Sequence, residues 1–167
     1  NDTPCVVVDP GQAEGVLSFV QQHQLTIAAI LVTHHHNDHC GGVNQLKAAT
    51  QCTVYGPANS AIDGITQACR EGDEVRNIAF YAQPWLCCGG TVFSAGCGRM
   101  FEGTPSQFMQ SLAKFAELPA DTQIYCAHEY TQANLAFAAV VEPANQAIRD
   151  HQQRVAALRK QGLPSLP

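Results

Sequence analysis

The sequence predicts an α/β fold in which strands and helices alternate along one chain and polar side chains gather at the ends of strands. Short runs rich in β-branched residues alternate with stretches of helical spacing, which indicates layers of sheet and helix. Histidines directly follow two of the predicted strands. With 167 residues, 46% of them hydrophobic and 14% charged, the chain is long enough for one core, so we expect a single domain over 1–167.

The first half of the chain predicts three strands joined by two helices. The strands are CVVVDPG, TIAAILVT and CTVYGP, and the helices between them are QAEGVLSFVQQHQ and GGVNQLKAAT. The second half predicts strands in DEVRNIAF, WLCCGGTVF and TQIYCAH and a helix, TPSQFMQSLAKFAEL, that Thr104 caps. Two further helices, TQANLAFAAVV and PANQAIRDHQQRVAALRKQG, make 131–167 the beginning of a helical region.

Composition and charge argue against several classes of function. The net charge is −5 and no basic cluster occurs, which argues against nucleic acid as a partner. No apolar run is long enough for a membrane span, and we expect no secretory leader. The eight cysteines lack a CxxC pair, so we expect reduced, buried thiols in a monomeric cytoplasmic protein rather than a disulfide framework or a thiolate zinc site.

The stretch LVTHHHNDHCGG places four histidines and an aspartate directly after a strand. Alternate residues of an extended segment share a face, so His34 and His36 are expected to point the same way. Asp38 and His39 then follow on a turn. Imidazole nitrogens and a carboxylate are ligands that zinc and similar first-row ions prefer, so the stretch predicts a metal site.

So many donor groups in so few positions cannot all reach one tetrahedral ion without strain, and two neighbouring ions are their natural use. A solvated histidine-rich loop or an artificial tag is the alternative, but a tag would lack the strand before it and the glycine pair after it. We expect that pair, Gly41 and Gly42, to let the backbone enter the next helix.

A further histidine, His128, follows the predicted strand TQIYC and so occupies the same kind of strand end as His34. A lone histidine is more often structural than a ligand, and only the correspondence with the first motif favours a ligand role. The sequence therefore predicts His128 as a candidate ligand.

The stretch THHHNDHCGG resembles the T-H-x-H-x-D-H-x-G-G motif of the metallo-β-lactamase superfamily. The segments VVDPG, VYGP, TVFSAGCGRMFEGT and HEYTQANLAFA are similar, in order and over most of the chain, to the glyoxalase II or hydroxyacylglutathione hydrolase family within it. The resemblance implies an αββα sandwich with a two-metal site and the hydrolysis of S-lactoylglutathione to D-lactate and glutathione. It also implies zinc as the cofactor, with iron or manganese as alternatives, and a small glutathione thioester as the partner.

The resemblance also assigns roles to individual side chains. Five of them are metal ligands by this assignment, two on a first ion and three on a second: His34 and His36, then Asp38, His39 and His128. Asp38 would in addition act in catalysis, by holding its ion and accepting a hydrogen bond from a hydroxide bound by the metals. Three side chains would contact the glutathione part of the substrate: Arg99, Phe101 and Tyr130.

The chain departs from the family pattern in several places. A histidine-bearing GHTxGH segment is expected after Phe80, where the sequence continues at once with Tyr81. The bridging aspartate of a CGDT motif is replaced by Gly90 in CCGGT, and glycine has no side chain to bind a metal. A first strand and further helices at the end are also expected, so the predicted sandwich is incomplete. Two alternatives remain for the internal segment: it is deleted from the protein, or the protein contains it although the sequence given does not.

These departures keep three functions open. The first is a hydrolase that binds its first ion weakly and so holds one ion or fewer, because two dications without a bridging carboxylate repel strongly. The second is a mononuclear iron persulfide dioxygenase, since two histidines and a carboxylate suit non-haem iron. The third is an inactive or metal-deficient variant that keeps the scaffold and binds glutathione conjugates.

Overall fold

The computed structural model describes residues 3–58, 61–69, 78–101 and 103–165. The chain divides into two compact units, Asn1–Phe80 and Tyr81–Pro167, and the division falls where the sequence analysis expects an additional segment. The expectation of one domain over 1–167 stays a prediction. None of the described helices combines the length and the apolar character that crossing a membrane requires.

The first unit is built on a parallel sheet. Its elements are β1 (Thr3–Val8), α1 (Glu14–Gln22), β2 (Leu25–Leu31), α2 (Asn37–Cys40), α3 (Val43–Thr50), β3 (Thr53–Pro57) and β4 (Gln67–Cys69). The strands pair in the order β1-β2-β3-β4, and every pair is parallel. Parallel neighbours need a crossover connection, which α1 supplies between β1 and β2, and α2 with α3 between β2 and β3. The carboxyl ends of the strands therefore meet at one edge.

The core of the first unit is centred on β2. Ile30 and Val32 are completely buried, and the cluster around them contains residues from β2, from α3, from β3 and from the loops before α1 and after β3: Ala13, Ile27, Val43, Leu46, Val54 and Ile62. Burying an aliphatic side chain of this size contributes about 1.5–3 kcal/mol to folding. The backbone beyond β2 stays pinned as well, since the Val32 amide donates to the Tyr55 carbonyl at 2.8 Å. The backbone position from which the histidine stretch begins is therefore fixed by β3.

The second unit combines a small sheet with three helices. Its elements are β5 (Phe80–Ala82), β6 (Trp85–Gly89), β7 (Val92–Phe93), β8 (Gly96–Cys97), α4 (Pro105–Ala116), β9 (Gln123–Cys126), α5 (Thr131–Val141) and α6 (Gln146–Lys160). The sheet has the order β5-β6-β9, with β6 and β9 parallel, and β7 and β8 form an antiparallel hairpin. Leu86, Leu135 and Val155 are its most buried aliphatic side chains.

Helix α4 begins directly after Thr104, the cap that the sequence predicts. The Thr104 side chain accepts a hydrogen bond from the Gln107 amide, and the Gln107 side chain accepts one from the Thr104 amide at 2.8 Å. This reciprocal capping box satisfies two backbone donors that a helix start leaves without partners. Pro105 stands at the first helical position, where its missing amide hydrogen costs nothing.

The structure differs from the sequence prediction at several places. The predicted strand WLCCGGTVF is two strands, because Gly89 adopts a positive φ of 54° and the backbone turns at Gly90 before β7. Positions 73–77 of the predicted strand DEVRNIAF lie outside the described residues, and the described strand there begins at Phe80. The turn after the histidines is one turn of helix, α2, and β4 follows no alternating apolar pattern that could have predicted it.

All eight cysteines are free thiols, as the sequence predicts, but they are less buried than expected. Only Cys88 is buried, Cys97 is exposed and the other six are partly exposed. Burial raises the pKa of the Cys88 thiol to about 11, so this group is a packing residue rather than a nucleophile at neutral pH.

The capping box leads to a prediction about stability. Replacing Thr104 by Ala should lower the free energy of unfolding by about 1 kcal/mol, because the Gln107 amide loses its acceptor. Urea denaturation followed by circular dichroism measures the change. Ser111→Ala is the matched control: its hydroxyl bonds only to the preceding turn of the same helix, and the free energy should change little. An equal loss in both variants would contradict the role of the cap.

Candidate metal centre

The histidine stretch begins at the carboxyl edge of the parallel sheet. Strands β1 and β2 end in register, with Val8 opposite Leu31, and the Asp9 amide donates to the Leu31 carbonyl at 2.9 Å. Asp9 therefore lies beside Thr33, although 24 residues separate them in sequence. It has a φ of 49°, a left-handed conformation that aspartate and asparagine adopt more readily than most residues.

The Asp9 carboxylate joins the two strand ends to the histidines. Its Oδ1 accepts a hydrogen bond from the Thr33 amide at 2.7 Å, and its Oδ2 accepts one from the Thr33 hydroxyl at 2.7 Å. The same Oδ2 lies 3.0 Å from Nδ1 of His39, which is 30 residues away in sequence. A carboxylate can only accept, so the His39 ring carries a hydrogen on Nδ1.

These hydrogen bonds also determine the tautomer of His34. The Thr33 hydroxyl has one hydrogen and gives it to Asp9, so at 2.9 Å it must accept from Nδ1 of His34. With Nδ1 protonated, the neutral His34 ring carries its lone pair on Nε2. His39 follows the same logic, and both rings present Nε2 as the atom available to a metal.

The remaining donors lie next to those two nitrogens. Nε2 of His34 is 3.2 Å from Nδ1 of His36, and Nε2 of His39 is 3.4 Å from Oδ2 of Asp38. His34 and His36 therefore converge, as expected from the extended backbone, and the ring of exposed His35 lies with its centroid 4.9 Å from that of His36. The structure thus brings His34, His36, Asp38 and His39 together, with His34 and His39 buried and the other two exposed.

The two buried rings differ in their electrostatics. Burial, and next the nearby His39, lower the pKa of His34 to about 4, so its ring is neutral at neutral pH and in the form that binds metals. Burial also disfavours the charged form of His39. The hydrogen bond to Asp9 and the negative charges of Asp9 and Asp38 outweigh that effect and raise the pKa of His39.

The donor set fits a divalent metal ion. Imidazole nitrogens and a carboxylate oxygen face one another at distances where an ion can bridge them, and two of the rings are already oriented by hydrogen bonds from behind. The carboxylate of Asp9 also lies close enough to His34 and His39 to be a candidate ligand itself. Its oxygens are already engaged by Thr33 and His39, so Asp9 is better suited to supporting the ligands.

The glycine pair has a different purpose from the one the sequence suggests. Gly41 and Gly42 have ordinary φ values of −60° and −89°, so the backbone does not need the special freedom of glycine. A Cβ at Gly41 would lie 2.7 Å from the Gly11 carbonyl oxygen, and one at Gly42 would lie 2.6 Å from the Gln12 carbonyl carbon. The chain does enter α3 directly after the pair, as expected, but close backbone packing rather than conformational freedom requires glycine there.

In the second unit, His128 lies on the loop 127–130 between β9 and α5, as the end of the predicted strand suggests. It is half-buried, and its ring stacks on that of Tyr130 with 5.2 Å between centroids. Phe93, which is buried, packs edge-on against Tyr130 at 5.0 Å. Sequence reasoning did not identify Phe93, whose contact with this loop no local pattern indicates.

Three other positions of interest lie in the same unit. The Arg99 guanidinium is 5.5 Å from the ring centroid of Phe101, which is 72% exposed. Both side chains of this cation–π pair are exposed to solvent. Gly90 stands in the turn after β6, and a Cβ added there would have no atom within 4 Å, so the structure has room for a side chain.

Asp9 and Thr33 are the residues that sequence reasoning missed. Asp9 belongs to VVDPG, a segment noted only for its resemblance, and Thr33 opens the histidine motif. The available signal was an aspartate placed directly after a strand, at the edge where the histidines were expected.

Comparisons with known proteins show which family the chain is similar to. A family model described as the metallo-beta-lactamase superfamily matches residues 1–67, and one described as the hydroxyacylglutathione hydrolase C-terminus matches residues 129–167. A hydroxyacylglutathione hydrolase of Shewanella baltica is 46% identical over 99% of this chain and 72% of its own length. One of Vibrio parahaemolyticus is 45% identical over 100% of this chain and 73% of its own length.

Solved structures with the same fold support the predicted α/β metallo-β-lactamase class. ETHE1 from Myxococcus xanthus has a TM-score of 0.66 and 29% identity, covering 76% of this chain and 66% of that one. TTHA1623 in a di-iron-bound form has a TM-score of 0.60 and 25% identity, covering 74% and 80%. The B3 metallo-beta-lactamase BLEG-1, with a TM-score of 0.66 and 22% identity over 77% and 83%, shows the fold alone.

The alignments also reveal an internal difference. The match to the Shewanella baltica protein spans 188 positions, whereas this chain has 167 residues, so at least 21 positions of the relative face no residue here. A segment expected after Phe80 is consistent with a gap of that size.

The carboxylate behind the histidines leads to a prediction about metal binding. Asp9→Asn keeps the shape of the side chain but removes its charge and one acceptor oxygen, so the zinc affinity should fall about 10–100-fold. Competition with a chromophoric chelator measures the dissociation constant. Asp63→Asn, which neutralises an exposed carboxylate of the same unit, is the control and should leave the affinity unchanged. Equal affinities for Asp9→Asn and the unchanged protein would exclude the supporting role of Asp9.

Proposed function

Because the chain belongs to the hydroxyacylglutathione hydrolase family of the metallo-β-lactamase superfamily, we propose that it is a metal-dependent thioester hydrolase. Its proposed substrate is S-lactoylglutathione, and the products are D-lactate and glutathione. The observation that carries the proposal is the orientation of His34 and His39, whose Nδ1 atoms are held through Asp9 so that both Nε2 atoms remain for a metal.

The proposed ligands follow the family assignment. His34 and His36 serve a first ion, and Asp38 and His39 serve a second, for which His128 is proposed as a further ligand on the resemblance alone. Zinc is the proposed metal, because imidazole and carboxylate donors suit it. Iron and manganese remain alternatives, since TTHA1623 is a di-iron-bound relative of the same fold.

A bound divalent ion would supply a water of lowered pKa and stabilise the negative charge that develops on the thioester oxygen. The protein's own residues would hold the ion, orient the attacking water and bind the substrate. Asp38, exposed beside His39, can hold its ion and accept a hydrogen bond from the attacking water. Arg99 offers a positive charge for a glutathione carboxylate, while Phe101 and Tyr130, both largely exposed, offer aromatic contacts for the rest of the substrate.

Gly90 defines how the site differs from the family pattern. It offers no side chain where the family has a bridging carboxylate, and two dications without that negative charge repel each other. We propose that the first ion is held more weakly than the second, so that one ion per chain is the main form.

The competing functions are weaker. The reported curated relatives are named hydroxyacylglutathione hydrolases, which favours a hydrolase over the iron dioxygenase. The inactive scaffold is an outcome of the test below. The free thiols suit the reducing cytoplasm, which we propose as the location, and we propose a monomer that acts on a small molecule without nucleic acid or membrane as partner.

The direct test is hydrolysis of S-lactoylglutathione by the zinc-loaded protein, followed by the loss of thioester absorbance. Removing the metal with a chelator should abolish the rate, and adding zinc back should restore it. His36→Ala should lower kcat/KM about a hundredfold, since even supporting residues of metal sites cost about 10–100-fold. His23→Ala, which removes another exposed histidine, should have no effect. No turnover with full zinc loading would establish the inactive scaffold instead.

Restoring a carboxylate at position 90 tests the explanation of the altered site. Gly90→Asp should raise zinc content and hydrolysis rate together, because the new side chain enters open space and offsets the charge of the ions. Metal analysis and the thioester assay measure both quantities. Gly15→Asp is the control, since a side chain there also meets nothing within 4 Å but lies on α1. If zinc loading becomes complete while the rate stays flat, Gly90 is not the limiting defect.

A further inference from the structure

The loop 127–130 carries two residues of the proposed site, His128 and Tyr130. At its beginning the Ala127 amide donates to the Gly89 carbonyl at 3.1 Å, and at its end the Asn134 amide donates to the Tyr130 carbonyl at 3.0 Å as α5 begins. Between these points lies Glu129, an exposed glutamate directly after the candidate ligand. Its surroundings involve a part of the chain more than thirty residues away.

The segment that reaches Glu129 leaves α6 in a fixed direction. Gly162 has a positive φ of 72°, its amide donates to the Arg159 carbonyl at 3.1 Å, and the Leu163 amide donates to the Leu158 carbonyl at 3.1 Å. This pattern of hydrogen bonds is a Schellman ending, which glycine favours and which turns the chain back along the helix. The Arg159 guanidinium then donates to the Leu163 carbonyl at 2.8 Å. We call residues 162–165 the strap.

The strap ends on Glu129 through Ser165. The Ser165 amide donates to Oε2 of Glu129 at 2.7 Å, and the Ser165 hydroxyl lies 2.9 Å from both carboxylate oxygens. The same hydroxyl is 2.8 Å from that of Thr131, a buried residue in the first turn of α5. One serine therefore contacts the residue that follows His128 and the residue that follows Tyr130.

We propose that Ser165, acting through Glu129, is a positioning residue that holds the His128 loop in place for the site. The relevance of that loop to metal binding rests on the proposed function, whereas the contact itself does not. Hydrogen bonds to an ionised carboxylate are about twice as strong as neutral ones, and two donors of Ser165, its amide and its hydroxyl, converge on this one. The same hydrogen bonds occupy the Glu129 carboxylate. Carboxylate oxygens can bind the same metal ions as imidazole, so these hydrogen bonds disfavour Glu129 as a competing ligand beside His128.

Hydrogen–deuterium exchange of the full chain tests the contact directly. Glu129→Ala and Ser165→Ala should each speed the exchange of amides 127–131 by about fivefold, because the loop opens more often without the strap. Glu117→Ala, which removes an exposed carboxylate after α4, is the matched control and should leave these amides unchanged. Exchange in Glu129→Ala equal to that in the control would overturn the inference.

Zinc affinity tests the positioning role. Both variants should bind zinc about fivefold more weakly, and the double variant no more weakly than either, because both residues act through one link. Ser165→Thr, which keeps the hydroxyl and the amide, should restore the affinity. At saturating zinc, kcat in Ser165→Ala should return to within about twofold of the unchanged protein, since the reacting groups are intact.

The outcomes separate this inference from the proposed function. Faster loop exchange with unchanged zinc affinity and KM would overturn the positioning role, leaving the strap as a purely structural contact. If the unchanged protein binds no zinc and hydrolyses no thioester while exchange responds as expected, the proposed function fails and the hold of the strap on the loop stands.

Discussion

The carboxylate of Asp9 is the group on which the geometry of the histidine cluster depends. It lies where two parallel strands end in register, and it binds Thr33 through both oxygens and His39 through one. Through these contacts Asp9 determines which ring nitrogen carries the hydrogen. It does so directly in His39, and through the Thr33 hydroxyl in His34. A single partly buried carboxylate thus orients two candidate ligands, and its negative charge would offset that of a bound metal.

The backbone around this carboxylate is packed to match it. The turns after β1 and at α2 approach so closely that Gly41 and Gly42 have no room for a Cβ. This contact keeps His39 at the distance from Asp9 that the hydrogen bond needs. In the second unit a comparable constraint acts on His128, whose loop is held at one end by the β6 backbone and at the other by α5. Rigid backbone on both sides of a ligand limits what each imidazole must lose in entropy when a metal binds.

The order of elements was largely predictable, because β-branched runs, helical spacing and signals such as Thr104 act over a few residues. The histidine motif was predictable for the same reason. The role of Asp9 was not, since its partners lie 24 and 30 residues away and meet it only when parallel strands pair. The sequence also did not predict that the strand WLCCGGTVF divides in two at Gly90, or why glycine is required at positions 41 and 42. Both depend on backbone conformation and contacts that a sequence pattern does not specify.

Membership in the family and the departures from its pattern have to be considered together. The relatives match nearly the whole chain at 45–46% identity, yet at least 21 aligned positions of the Shewanella baltica protein and at least 18 of the Vibrio parahaemolyticus protein have no counterpart here. The hydrogen bonds that join Asp9, Thr33, His34 and His39 lie within the first unit, whose residues the structure places before that gap is expected. The chain therefore retains two oriented candidate ligands, His34 and His39, although the family pattern is broken elsewhere.

X-ray absorption spectroscopy of the protein loaded with one equivalent of zinc tests the central claim most directly. The claim is that the histidine cluster, and none of the eight cysteines, holds the metal. It predicts a first shell of nitrogen and oxygen at about 2.0–2.1 Å with the multiple scattering of imidazole rings. A shell of sulfur at about 2.3 Å would contradict it, since the metal would then be bound by thiolates elsewhere in the chain.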